Sequence, residues 1–497
     1  MMADPLQTHE PSLRVLVTGA TGYIGGRLVP ILLERGYRVR ILVRSEKKAR
    51  NRPWSSHPAL EIVTGDALDP ASVTSACRGC GAAYYLVHSM LPGNKNYRAS
   101  DLDAARIMRD AAAEAGLERI IYLGGLGEDG AGLSRHLQSR REVEGMLGSG
   151  RVPVTILRAA MIIGSGSASF EILRYLVDRL PCMITPKWVH TPSQPIAVRN
   201  VLEYLAGCLA SPETIGARFD IGGPEVVTYE SLMRVYAEEA GLPRRWIIPV
   251  PVLTPRLSSY WIHLVTPVPA SIARPLAEGL KNPVVCREDR IRTIIPQHLI
   301  PVREAIRLAL NKTLADEVVT RWTDAGGSGG VEAIAPGDPA WAGGTVLRDE
   351  RALVTDARPE RLWSVISSIG GKNGWYHADF LWGLRGALDR LAGGVGLRRG
   401  RRSAHELLPG DALDFWRVIE CRDQKRLTLR AEMKLPGEAV LQFELLPEPD
   451  GRVRLCQRAL FKPKGLWGIL YWASVMPLHA YVFGGMIRRI AQRAGGS

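Results

Sequence analysis

Short uninterrupted apolar runs recur along the first third of the chain: Val15–Thr18, Arg38–Val43, Leu60–Thr64, Ala82–Val87, Arg119–Leu123 and Val154–Arg158. Runs of this length with little polar alternation predict strands covered on both faces, as in a parallel sheet. Between them, Arg27–Arg35 and Ala104–Ala115 carry apolar residues at helical spacing. Strand and helix therefore alternate, which predicts a doubly wound α/β fold binding its ligand beyond the carboxyl ends of the strands. Phe219-Asp-Ile-Gly-Gly-Pro224, followed by a helical stretch, reads as a late substrate-side element of the same domain.

The rhythm stops near Lys312. Asp324-Ala-Gly-Gly-Ser-Gly-Gly and Ala335-Pro-Gly-Asp-Pro have linker composition. The predicted division is a disordered start at 1–12, an α/β domain at 13–312, a linker at 313–344 and a second domain at 345–497. That second domain reads as a strand (Val346–Leu353), a helix (Pro359–Ser368) and a loop rich in aromatics (Trp375, Tyr376, Trp382). Four strands follow, at Asp414–Glu420, Arg426–Met433, Ala439–Leu446 and Val453–Phe461. A long apolar segment, Gly465–Ile487, closes the chain. Strands wrapped on a terminal helix predict an α+β domain of helix-grip type, which either encloses an apolar ligand or fills its core with those aromatics. Gly465–Ile487, flanked by Lys462, Lys464, Arg488 and Arg489, is long enough to cross a bilayer. Pro477, His479 and several glycines interrupt it, so a helix packed on its own sheet is the favoured reading. Pro249–Leu280, with Trp261, His263 and Leu264, suits an interfacial segment or a lid over an apolar pocket.

Charge adds one constraint, since 64 lysines and arginines against 50 acids give a net +14. The densest basic run, Arg398-Arg399-Gly-Arg401-Arg402, lacks interleaved aromatics and any DNA-reading motif. Nucleic acid is thus not an expected partner, whereas peripheral contact with an anionic membrane is compatible with the charge. Seven cysteines are scattered, with Cys77 and Cys80 the only close pair, and no ligand spacing predicts a metal. Met1–Ser12 is not built as a secretory signal, so a reducing cytoplasmic setting is expected.

The chemistry concentrates after the first strand. Glycines 19, 22 and 25 lie in Val17-Thr-Gly-Ala-Thr-Gly-Tyr-Ile-Gly25, between a strand and a helix. There the backbone can approach a pyrophosphate and the helix N-terminus can face its charge, which predicts a dinucleotide cradle of Gly19, Thr21, Gly22, Tyr23, Ile24 and Gly25. Arg44 ends the second strand, nineteen residues beyond Gly25, where an acid would bind the adenosine ribose hydroxyls. A guanidinium suits a 2′-phosphate instead, so NADP(H) is favoured over NAD(H). The competing reading makes Arg44, Arg50 and Arg52 a solvated basic loop. Asp66, after the third strand, is placed to take the adenine amine or to cap the next helix. Val87 and His88, after the fourth strand, are expected near the nicotinamide end, with Ser89 beside them.

With Thr18-Gly-Ala-Thr-Gly-Tyr-Ile-Gly25, Gly65-Asp66, Leu157-Arg158 and Asp220-Ile-Gly-Gly-Pro224, the first three hundred residues resemble the short-chain dehydrogenase/reductase superfamily. Leu86-Val-His-Ser-Met90, Ile369-Gly-Gly-Lys372 and Pro477-Leu-His479 extend the resemblance to the bacterial atypical members that carry a C-terminal DUF2867 domain. More distantly, the chain resembles an accessory subunit of respiratory complex I. The superfamily places a tyrosine four residues before a lysine to pass a proton while hydride moves. Registered on Glu144, those positions hold His136 and Arg140, and the serine expected after Leu123 is replaced by Gly124-Gly125. The resemblance thus implies one of two functions. In the first, an atypical reductase of an apolar, quinone- or lipid-like substrate uses His136 as proton donor and Arg140 on the nicotinamide ribose. In the second, a non-catalytic NADP(H)-binding sensor or accessory protein works at a membrane.

Overall fold

Every strand of the first sheet is laid parallel to its neighbours, because its apolar residues alternate between two helical layers. The strands are β1 (Arg14–Thr18), β2 (Arg38–Val43), β3 (Leu60–Thr64), β4 (Ala82–Tyr85), β5 (Arg119–Gly125), β6 (Val154–Ala159) and β7 (Arg218–Ile221). Their order is β7-β6-β5-β4-β1-β2-β3, so the winding direction reverses between β1 and β4. The computed structural model describes residues 13–50, 52–87, 97–127, 134–250, 265–266, 276, 278–279, 282–311, 343–391, 393–394 and 407–495. These divide into one unit of 13–311 with 343–344 and another of 345–495.

The longer helices of the first unit are α1 (Gly25–Glu34), α2 (Pro70–Cys77), α3 (Tyr97–Ala115), α4 (Arg135–Gly148), α5 (Ala168–Arg179), α6 (Val198–Ala210), α7 (Tyr229–Glu239) and α8 (Val302–Leu310). Val15 and Val17 of β1 pack with Leu28 and Leu32 of α1 and Val201 and Leu205 of α6. Leu16, pointing the other way, packs with Val73 of α2, Met108 of α3 and Val143 of α4. A third core joins α5, α7 and α8 through Phe170, Tyr236 and Ile306 on the substrate side. Glu171 of α5 is fully buried; it pairs with Arg174 and accepts from the amides of Gly343 and Gly344, which anchors the last residues of this unit.

β2 and β3 have the expected boundaries. β4 stops at Tyr85 rather than Val87, and β5 continues past Leu123 because Gly124 and Gly125 pair with Arg158 and Ala159. Residues 1–12, His88 and Ser89, the run Arg398 to Arg402 and most of Pro249–Leu280 lie outside the described residues.

The second unit is an antiparallel sheet with helices. It comprises β8 (Leu347–Thr355), α9 (Pro359–Ser367), α10 (Asp379–Leu391), β9 (Ala412–Leu413), β10 (Trp416–Arg422), β11 (Arg426–Ala431), β12 (Gly437–Pro447), β13 (Val453–Pro463) and α11 (Gly465–Arg493). The strand order is β8-β13-β12-β11-β10-β9. Helix α10 corrects the expected aromatic loop: Trp382, Gly386 and Asp389 are buried at helical spacing, and Asp389 accepts from the Lys434 amide at 2.6 Å. Trp375 stacks on Phe415 and contacts Trp382, while its indole donates to Asp414, so part of the aromatic set fills the core.

Helix α11 is long and apolar enough to cross a membrane. From Val482 onward it is packed on the sheet through Phe483, Met486, Ile487 and Ile490. Its first half leaves Trp467, Leu470 and Met476 exposed. Pro477 lies between the halves and has no N–H for the Ala473 carbonyl.

Candidate nucleotide-binding site

The glycine turn sits at the reversal point between β1 and β4. Gly19 has φ +73°, and a Cβ there would lie 2.5 Å from the Leu86 carbonyl oxygen at the end of β4. A Cβ on Gly25 would lie 2.4 Å from the Gly19 oxygen and 2.9 Å from the Ala20 Cα. The Gly22 amide closes the turn on the Gly19 carbonyl at 2.9 Å. No side chain caps α1 at Ile24. A backbone cradle this tight, opening onto an uncapped helix N-terminus, fits a pyrophosphate with its negative charge.

Side chains around the glycines hold the cradle. Arg27 is buried, lies 4.2 Å from the centre of the Tyr23 ring, and donates to the carbonyls of Tyr23 and Ser165. Tyr23 itself reaches the Gly164 backbone, where a Cβ would meet its hydroxyl at 2.3 Å. Arg52 corrects the solvated-loop reading: only 3% exposed, it donates to the Thr21 carbonyl at 2.6 Å and lies against Gly26. Trp54 donates to the Gly26 carbonyl at 3.0 Å. Arg50 does belong to the solvated surface, paired with Glu46 one turn away.

Arg44 and Asp66 emerge together from the ends of β2 and β3, where the Gly65 amide donates to the Val43 carbonyl at 3.0 Å. Arg44 is exposed and makes no hydrogen bond or ion pair with the described residues. Asp66 is not the helix cap. That role belongs to Asp69, whose carboxylate accepts from the amides of Ala71 and Ser72, while Asp66 accepts from the Leu68 amide. The hydrogen bonds from Ser72 hold the Asp69 carboxyl below its ordinary value.

At the other end of the crevice, Gly124 and Gly125 finish β5 and α4 starts. Ser134 caps α4 by accepting from the Leu137 amide. His136 and Arg140 are one helical turn apart on α4, both half-buried. A Cβ on Gly125 would lie 3.7 Å from the Arg140 Cγ, which places the stem of Arg140 against the end of β5. The Arg140 carbonyl accepts from Tyr122, whose phenol burial pushes up. Glu144 is buried and pairs with Arg218.

Two motif fragments prove to be partners. Arg158 and Asp220 stand opposite each other on β6 and β7 and form a buried pair, with 2.7 Å between the Arg158 guanidinium and Asp220 Oδ1. Asp220 also accepts from the Arg287 amide, so the pair ties the substrate-side segments to the sheet. Cys77 and Cys80 are both buried, and burial pushes the Cys77 thiol up to about 12, which leaves it an unreactive core residue.

Residues 19–172 match a family described as NAD(P)H-binding, and residues 341–486 match DUF2867, a family of proteins of unknown function. Cinnamoyl-CoA reductase 2 of Arabidopsis thaliana is 30% identical over 117 residues, which is 23% of this chain and 35% of that protein. The ceramide reductase of Caulobacter vibrioides is 28% identical over 170 residues, or 34% of this chain and 52% of that protein. The chain therefore spans about half or less of the length of these curated relatives. Among solved structures, Citrobacter sp. triphenylmethane reductase complexed with NADP(H) is 19% identical. The match covers 60% of this chain and 100% of that one, with a TM-score of 0.49.

Proposed function

We propose that this chain, an NAD(P)-binding domain of short-chain dehydrogenase/reductase type followed by a DUF2867 domain, is an NADP(H)-preferring reductase of an apolar, quinone- or lipid-like substrate. The observation that carries it is the glycine turn wedged against Leu86 at the strand reversal, with Arg44 unengaged at the end of β2. A guanidinium there offers paired charge-assisted donors to a 2′-phosphate. The curated relative named for ceramide reduction favours a bulky, largely apolar substrate.

Bound dihydronicotinamide supplies a hydride; the chain's own part is positioning and the proton. His136, in the first turn of α4, is the candidate donor, and Arg140 the candidate partner of the nicotinamide ribose. The missing tyrosine–lysine pair supports a second reading, a sensor or accessory protein that holds the nucleotide without turnover. The setting proposed is cytoplasmic, with peripheral contact to an anionic membrane.

Titration with NADPH and NADH, on wild type and Arg44→Ala, tests the cofactor. NADPH binding should weaken about tenfold in the variant, with NADH unchanged, as expected for loss of about 1.5 kcal/mol of charge-assisted bonding. Equal loss for both nucleotides would refute the 2′-phosphate role. Oxidation of bound NADPH by a quinone panel then separates the two functions. Turnover lost in His136→Ala with binding retained supports the reductase; no turnover in wild type favours the sensor.

A further inference from the structure

A cavity of ≈ 300 Å³ opens in the second unit between α10, α11 and the sheet, lined by residues that include Leu388, Met433, Ala459, Tyr471, Val475 and Phe483. Its walls are overwhelmingly apolar, and its size is at the lower end for small-molecule sites. Buried polar atoms interrupt them. The indole N–H groups of Trp382 and Trp416, both lining residues, are buried without a hydrogen-bond partner among the described residues. His479, also lining the cavity, buries an Nδ1 without a hydrogen bond among the described residues and lies edge-on to Trp472 and Phe483.

A polar group continues from His479 under α11. Its Nδ1 is 3.9 Å from Asp349 of β8, and Asp349 pairs with Arg351 at 3.1 Å. Arg351 stands opposite Gln457 of β13, which is 1% exposed with neither side-chain amide atom bonded among the described residues. Ala459, two residues along the same face of β13, lines the cavity. Burial keeps the His479 imidazole below its ordinary value, against the pull of Asp349. Asp349 and Arg351 offset each other at this end, and Arg385 of α10, a cation that also lines the cavity, is engaged by the Lys434 carbonyl. Orphaned buried donors of this kind are uncommon in native cores and mark places where a ligand oxygen can complete the bonding.

We propose that the second unit is itself a binding site for one uncharged, apolar small molecule with a carbonyl oxygen at one end. The body of that molecule occupies the cavity between α10 and α11, and its oxygen meets His479 at the end beside β8. The inference uses only residues of 345–495 and holds whether or not the first unit performs hydride chemistry.

Calorimetric titration of the full chain with decyl-benzoquinone, decylbenzene and decanoate tests it. One quinone should bind per chain, with decylbenzene, lacking the oxygen, and decanoate, carrying a charge, each at least tenfold weaker. Val475→Trp from α11 and Leu388→Trp from α10 each fill the cavity and should abolish quinone binding, while leaving NADPH affinity and the melting transition as in wild type. His479→Phe should lower quinone affinity several-fold without changing that of decylbenzene. Absence of saturable quinone binding, equal binding of decylbenzene, or undiminished binding in both folded tryptophan variants would overturn the proposal. Loss of NADPH binding in wild type would instead speak against the nucleotide site alone.

Discussion

Replacing Gly25 by alanine tests the cradle directly. The new Cβ would lie 2.4 Å from the Gly19 oxygen, where ordinary contact begins near 3.4 Å, so the turn has to open by about 1 Å. Gly19 cannot simply retreat, because it already abuts Leu86 on its other side. Overpacking of this kind costs about 1–3 kcal/mol, and each 1.4 kcal/mol is a factor of ten, so NADPH affinity should fall roughly 5- to 140-fold. NADH should fall by the same factor, since the pyrophosphate is common to both. Gly36→Ala is the control: φ is +85° but nothing lies within 4 Å of its Cβ, so it should lower stability by about 1 kcal/mol and leave affinity alone. Fluorescence titration of each variant, with a melting curve to confirm folding, gives the comparison. A folded Gly25→Ala protein that binds NADPH within twofold of wild type would refute the cradle.

Arg52→Ala removes the hold on the Thr21 carbonyl and should weaken NADPH and NADH alike, by about 1 kcal/mol or roughly fivefold; a loss confined to NADPH would transfer the phosphate role from Arg44 to Arg52. Glu444 of β12 is pushed up by burial, but hydrogen bonds from Arg426 and Arg458 prevail and lower its pKa below 4.5. Its contribution is therefore present above about pH 4.5 and disappears as pH falls through the lowered value. Glu444→Gln should cost about 2 kcal/mol at pH 7, with the deficit against wild type shrinking on acidification in urea melts; a deficit independent of pH would exclude the ion pairs as its source.

Parallel strands announce themselves because both faces are covered, which is why β1, β2, β3 and β6 were legible as plain apolar runs. The cradle glycines were legible for a related reason: only glycine tolerates the Leu86 and Gly19 contacts, and a strand and a helix frame them. Arg52 was not legible, since in sequence it stands with Arg50 among polar residues, and only the fold brings its guanidinium under Thr21. Asp66 and Asp69 are three residues apart, and local pattern alone did not decide which one turns toward the α2 amides. Helix α10 was hidden by its aromatics, which suggested a loop until Trp382, Gly386 and Asp389 fell on one buried face. The polar group beneath α11 had no sequence signature, because Asp349, Gln457 and His479 come from three distant segments.

Pro477 makes α11 one helix by shape and two by cohesion. Of the cavity-lining residues before it, Trp472 stacks on Phe461 in the core while Tyr471 and Val475 are half-buried; beyond it Val482 and Phe483 are fixed in the core. A missing hydrogen bond at that junction lets the first half loosen without drawing the second with it. Fraying confined to that half, with Trp472 leaving Phe461, would uncover the cavity wall while the sheet stays folded, a route in and out for the guest proposed above.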